Sequence, residues 1–158
     1  MSQEQWAQKL HFVYKFETVE SFWCMFNNLE KPTALPVGTN FHLFKDGIQP
    51  AWEDPANQGS GRIYLALPLG DPRNPNPKLN MFYENTVLSL IGEQFEFSDH
   101  ICGLVMQLRK GQLRMSLWLR KCGPEVQTRL IAEWRQILLS CEDPSFGVPV
   151  NYQPHETK

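Results

Sequence analysis

No run in this 158-residue chain approaches the roughly 18 consecutive apolar residues that a membrane-spanning helix needs, and the N-terminal "MSQEQWAQK" has no signal-peptide core. The chain is therefore expected to be soluble and intracellular. The four cysteines (Cys24, Cys102, Cys122, Cys141) show no CxxC spacing and no histidine at a metal-ligand interval, which removes the usual zinc and thiol-redox classes and suggests reduced thiols. A glycine-rich phosphate loop is absent, and no histidine stands in a catalytic pattern. Charge of one sign is missing too: the formal net charge is −2, so there is no global case for a polyanion binder, and any anion site must be built locally. What the chain does hold is aromatic residues at 12%, five of them tryptophan, within an ordinary 42% apolar composition. The length suits one domain, residues 1–158, with one core.

The hydrophobic periodicity predicts an α+β fold. "LHFVYKF" (10–16), "NFHLF" (40–44) and "GRIYLAL" (61–67) read as strands. In "TVESFWCMFNNL" (18–29), Val19, Phe22, Trp23 and Phe26 make a helical stripe with Thr18 as N-cap. "PLGDPRNPNP" (68–77) reads as a surface loop. A helix over 80–93 opens at Asn80, and another over 123–140 starts at Pro124 and presents Val126, Leu130, Trp134, Ile137 and Leu138. "FGVPVNYQ" reads as a short last strand.

"ICGLVMQLR" and "QLRMSLWLR" form a hairpin about Lys110–Gly111, which requires an antiparallel pair and favours helices packed on one face of an antiparallel sheet. Side chains alternate across a strand, so Leu113, Met115, Leu117 and Leu119 face the core. A two-residue turn pairs Arg109 with Gln112, Gln107 with Arg114 and Gly103 with Trp118. Arg109, Arg114 and Trp118 then share the face away from the core. That face is either simply solvated, with one stray aromatic, or a site that joins an aromatic surface to guanidiniums matching phosphate oxygens.

"FKDGIQPAWED" (44–54) places Trp52 and Glu53 after a turn at Asp46–Gly47 and a proline, outside any apolar period. Trp6 also stands among polar residues. An indole stacks on a nucleobase for about 1–3 kcal/mol, and a cationic base adds roughly 0.5–2 kcal/mol. A carboxylate accepts only from a donor edge, and guanine presents a ring N–H and an exocyclic amine. Trp52 with Glu53 therefore fits a guanine-like base. The plain alternative is a loop acid pair.

"KFETVESFW" (15–23), "LFKDGIQPAWED" (43–54), "LIGEQF" (90–95) and "NYQPH" (151–155), in that order, resemble the eukaryotic translation initiation factor 4E family, which binds the messenger-RNA cap. The resemblance runs from about Trp6 to the end of the chain. It implies a curved antiparallel sheet with three helices on its convex face and a ligand slot on its concave face. By the resemblance, Trp6 and Trp52 sandwich 7-methylguanine, Glu53 reads its donor edge, and Trp118 lies beside the methyl group. Arg109 and Arg114, with Lys110, take the phosphates. Val19, Trp23, Leu88 and Gly92 match positions that engage a partner, either an initiation factor 4G-type scaffold or a 4E-binding repressor. No cofactor and no metal are implied, and the location expected is cytoplasmic, with the nucleus as a second compartment.

The chain also departs from the family pattern. The family's N-terminal strand is missing, Glu84 and Asn85 stand where a leucine–glutamate pair is usual, and Gly111 replaces a lysine. Ile63 and Tyr64 stand where tryptophan is frequent, and the tail is short. These departures point to a divergent paralogue or to a trimmed chain, with a trypanosomatid paralogue facing a more heavily methylated cap as one form of the first. Two competing readings remain: an interaction or repressor paralogue with weak or altered cap affinity, and an acid–base enzyme using Glu53, Asp54 and Glu84.

Overall fold

The computed structural model describes Gln5, residues 8–140 and residues 149–155. The chain folds into two compact units, Met1–Glu30 and Lys31–Lys158.

The first unit holds helix α1 (Val19–Phe26). Thr18 opens it as expected: its Oγ1 accepts from Ser21 N at 3.1 Å, and Ser21 Oγ in turn accepts from Thr18 N at 3.2 Å, a reciprocal cap that satisfies two otherwise orphaned N–H groups. Phe22 is buried, with Phe16 at 5.3 Å and Phe26 at 5.2 Å between ring centroids. The strand expected over residues 10–16 does not form: these residues have no regular structure, and Phe12, Val13 and Tyr14 are exposed. Aromatic and β-branched composition measures fit to a half-buried pleated surface, and a strand exists only where a neighbour completes its ladder. Among the described strands none pairs with this segment.

The second unit is α+β: a curved five-stranded antiparallel sheet with helices. Its strands are β1 (Asn40–Phe44), β2 (Gly61–Pro68), β5 (Ile101–Arg109), β6 (Gln112–Leu119) and β7 (Asn151–Pro154), in the order β1-β5-β6-β2-β7. The segment expected to be all loop carries a two-stranded ribbon, β3 (Gly70–Asp71) and β4 (Asn74–Pro75). Ile63, Leu65 and Leu67 of β2 are buried, and so are Leu113, Met115, Leu117 and Leu119 of β6, the period-two pattern of a sheet with one core face. A register shift between Ile101 and Gly103 marks a β-bulge, a device that bends a strand.

Helices α2 (Lys78–Ile91) and α3 (Pro124–Leu139) contribute Leu79, Phe82, Tyr83, Val87, Leu130, Trp134 and Leu138 to the core. Phe41 of β1, paired with Met106, meets Tyr83 of α2 edge-on at 6.1 Å, which identifies the covered face of the sheet. Burial pushes the Tyr83 hydroxyl pKa up, and the neighbouring Glu84 adds to the shift. Helix α2 begins two residues before Asn80, since the proline at 77 presets the helical entry. Asn80 instead ties Thr33 down, accepting from its N at 3.1 Å and donating to its Oγ1 at 2.8 Å. No helix among the described residues is long and apolar enough to cross a membrane.

Candidate functional site

The hairpin has the register that its two-residue turn dictates: Arg109 pairs with Gln112, Gln107 with Arg114, and Gly103 with Trp118. On the face away from the helices the strands line up in rows. One row runs Phe44, Gly103, Trp118, Arg62 and Gln153; another runs Asn40, Gln107, Arg114 and Ala66. Val105 and Ser116, on this same face, are buried, and Trp118 is half-buried, so this is not a simply solvated surface.

At one end stands Trp118. Phe44 packs edge-on against it at 5.6 Å, and the His155 ring lies 4.4 Å away. Gly103 makes room for this packing, because a Cβ there would come within 2.5 Å of the Phe44 ring and of the Leu43 carbonyl. The Trp118 Nε1 and His155 Nε2 are both buried without a hydrogen-bond partner. At about 3.3 Å per residue, Arg114 lies roughly 13 Å along β6 from Trp118, and Arg109 and Lys110 stand beyond it at the hairpin end. Arg109 donates to Asn40 Oδ1 at 2.8 Å and to the Leu108 carbonyl at 3.0 Å. The Gln112 amide, with its oxygen turned toward Arg114, accepts from Nη2 at 2.7 Å and Nε at 3.2 Å. Neutral amides thus brace both guanidiniums. Among the described residues no carboxylate pairs with Arg109, Lys110 or Arg114, so in a chain of net charge −2 this end carries an uncompensated positive charge.

The loop from 45 to 60 leaves β1 after Phe44 and enters β2 at Gly61, at the same end of the sheet as the Trp118 row. It carries Trp52, 38% exposed, and Glu53, half-buried. Asp54, to which the sequence assigns no part in base reading, organises this loop. Its Oδ2 accepts from Gln49 N at 2.8 Å and its Oδ1 from Ala56 N at 2.9 Å. Asn57 is fully buried and donates from Nδ2 to the carbonyls of Gln49 (3.0 Å) and Ala51 (2.8 Å). The Asp-Pro-Ala-Asn string was a visible signal of such side-chain-to-backbone turns. The contacts of Phe44 and His155 had no comparable signal in the sequence.

Trp6 lies outside the described residues. On α1, Val19 is 64% and Trp23 39% exposed, so only Phe22 of the apolar stripe is buried. On α2, Leu88 is 36% exposed, and Gly92 follows four residues on, its N–H donating to the Leu88 carbonyl at 2.9 Å. The acid–base alternative finds no assembled set of acids. Both oxygens of Asp54 are taken by backbone N–H groups, and Glu84 is paired with Lys31 at 2.9 Å. An open cleft of about 690 Å³ elsewhere touches Phe97, Pro124 and Arg129, whose charge Glu96 neutralises at 2.9 Å.

Burial, and then the Arg62 guanidinium, push the His155 pKa from 6.5 down to about 4. The unfolded chain therefore takes up this proton first as pH falls. The stability contributed by the neutral ring is complete above pH 6.5 and is lost as pH falls from there toward 4. Half-exposure limits its size. In thermal melts across that window, His155→Gln is expected to lose less stability on acidification than the wild type; equal losses would remove His155 as a cause.

Comparison with known proteins gives a consistent picture. The family model described as eukaryotic initiation factor 4E matches residues 1–158. Eukaryotic translation initiation factor 4E-1 of barley is 39% identical over 134 residues, 84% of this chain and 59% of the barley protein. That of Phaseolus vulgaris is 33% identical over 155 residues, 98% of this chain and 62% of its own length. The chain thus spans about three fifths of these relatives. Among solved structures, the complex of C. elegans eIF4E-3 with the 4E-binding protein Mextli superimposes with a TM-score of 0.85 at 30% identity, covering 98% of this chain and 86% of that one. Ascaris suum eIF4E-3 with an m2,2,7G cap gives 0.83 at 31% identity, covering 97% and 82%.

Proposed function

The chain belongs to the eukaryotic initiation factor 4E family, and on that premise we propose that it binds the 7-methylguanosine 5′ cap of messenger RNA, without catalysis, in translation initiation or its regulation. The observation that carries the reading is the polarity of the sheet's far face. An aromatic end, with Trp118 in its row and the Trp52–Glu53 loop leaving beside it, is followed toward the β5–β6 turn by Arg114, Arg109 and Lys110, none of them paired with a carboxylate among the described residues. A methylated guanine joined to a triphosphate has the same order: a flat cation with a donor edge, then a run of negative charge. Trp52 stacks on the base, Glu53 accepts from its donor edge, and Trp118 adjoins the methyl group. Trp6 is assigned to the second stack by resemblance alone. Arg109, Arg114 and Lys110 take the phosphates.

The test is quenching of tryptophan fluorescence by 7-methyl-GTP against GTP. Strong quenching selective for the methylated nucleotide is expected, and equal responses would sink the reading. Replacing Arg114 by alanine should weaken 7-methyl-GTP about tenfold, since a charge-assisted hydrogen bond is worth about 1.5–3 kcal/mol. The loss should be smaller for 7-methyl-GMP, and the salt dependence shallower. A loss that does not vary with phosphate number would remove Arg114 from the phosphate site.

A protein partner forms the second part of the proposal. Val19 and Trp23 are large apolar side chains left exposed on one face of α1, and Leu88 with Gly92 is exposed on α2. The first of the solved neighbours is a complex with a 4E-binding protein. We assign these residues to a scaffold or 4E-binding partner, and place the protein in the cytoplasm, with the nucleus as a second compartment. Retention of wild-type partner binding by Trp23→Ala would refute the assignment.

A further inference from the structure

We propose that Asp54 and Asn57 are positioning residues: they hold the Trp52–Glu53 tip in its base-reading form before a ligand arrives, and so supply base selectivity rather than phosphate affinity. The inference rests on the cap-binding reading and deepens it.

A loop of this length without regular structure ordinarily wanders or collapses. A mobile tryptophan lowers its free energy by lying down on the nearest apolar surface, yet Trp52 stays 38% exposed. The reason lies in what surrounds it. Asp54 gathers the N–H groups of Gln49 and Ala56 onto its two oxygens, and its own N–H donates to the Ala51 carbonyl at 3.1 Å. The Asp54 carbonyl accepts from Asn57 N at 2.8 Å and Gln58 N at 3.1 Å. From inside, Asn57 grips the carbonyls of Gln49 and Ala51, on either side of Pro50. Gln58 closes the far side by donating to the Glu53 carbonyl at 3.0 Å. These bonds span residues 49 to 58 and bracket the tip, while none of them uses the side chain of Trp52 or Glu53. Both side chains are thereby presented and left free.

Asn57 also shows that stability alone does not account for the arrangement. Its Oδ1 is buried with no partner, a cost that the loop bears while the Nδ2 group holds two carbonyls. Two further bonds fix the frame to its surroundings: Ser60 Oγ donates to the Asn57 carbonyl at 2.8 Å, and Cys102 Sγ approaches the Ala56 carbonyl at 3.7 Å. The phosphate-facing cations sit on the β5–β6 hairpin, on separate elements, so loosening the loop should leave them in place.

The experiment compares the wild type with Asp54→Ala, Asp54→Asn and the isosteric Asn57→Asp, which keeps volume but loses both donated bonds. Three measurements are made: amide hydrogen exchange over residues 49–58 without ligand, affinity for 7-methyl-GTP and GTP, and displacement by inorganic triphosphate. For Asp54→Ala, faster exchange at Gln49 and Ala56 is expected, with about a tenfold fall in 7-methyl-GTP affinity (about 1.4 kcal/mol). GTP and triphosphate binding should be almost unchanged. Asp54→Asn keeps one of the two accepted bonds but sets its NH2 group against the other backbone N–H, so it should recover only part of the loss. Should buried Asn57 prove intolerant of change, the Asp54 pair alone decides the matter. Full methyl selectivity in Asp54→Ala, despite faster exchange, overturns the positioning role and leaves cap binding standing. No methyl preference in the wild type overturns the cap reading and this role with it.

Discussion

Replacing Glu53 by alanine is expected to abolish discrimination between guanine and other bases, lowering 7-methyl-GTP affinity by roughly a hundredfold or more, as two charge-assisted hydrogen bonds at roughly 1.5–3 kcal/mol each are lost. The guanine N1–H and exocyclic amine then face no acceptor, so the loss exceeds that of a single contact. Glutamine is the sharper substitution. It keeps the shape but offers one acceptor and one donor to two donors, the N1–H and the exocyclic amine, so one pair becomes repulsive. Both variants should retain the salt dependence of the wild type, because the cations on the hairpin are untouched. Titration of each variant with 7-methyl-GTP and 7-methyl-ATP at two salt concentrations checks this. A variant that still prefers guanine by the wild-type margin would show that another group reads the base.

The second large effect concerns stability. Trp134 is fully buried on α3, and its Nε1 donates to Thr86 Oγ1 of α2 at 3.0 Å, while the Thr86 hydroxyl donates to the Phe82 carbonyl at 2.8 Å. The indole therefore fills the space between two helices and also satisfies a buried hydroxyl. Trp134→Ala is expected to cost about 3–5 kcal/mol, a large share of the roughly 5–15 kcal/mol that holds a domain folded. A fall in melting temperature on the order of 10 °C follows for a chain of this size. A drop of only one or two degrees would mean that α2 and α3 close over the gap.

Legibility in the sequence followed the range of the interaction. From Gly103 to Trp118 the hairpin register follows from the sequence, because a two-residue turn and strict alternation leave one solution, and Arg109, Arg114 and Trp118 fall on one face as that solution requires; the bulge between Ile101 and Gly103 does not follow from it. Helix α3 was equally plain, from Pro124 through Leu130, Trp134 and Leu138. Residues 10–16 misled, since strand propensity without a partner strand is only composition. Asn80 misled in a related way, as its amide serves Thr33, 47 residues earlier in the chain, rather than its own helix. The sequence offers Asp54 as a turn former or an acid–base group, but its bracing role is set by where the backbone of Gln49 and Ala56 arrives.

The sequence by itself determined the chemistry on offer: a tryptophan followed by a glutamate after a turn, two arginines in phase with a tryptophan on one strand face, and apolar periods that specify an antiparallel sheet with helices. These are local matters, governed by side-chain type and by repeats of 2 and 3.6 residues. Tertiary structure alone decided which charges stay unpaired, which face is covered, and what holds the Trp52 loop. Phe44 at the end of β1 and His155 just after β7 reach Trp118 from segments far apart in sequence, and Asn57 is buried only once the loop closes over it. Such contacts depend on chain ends meeting in space, and no period in the sequence encodes them.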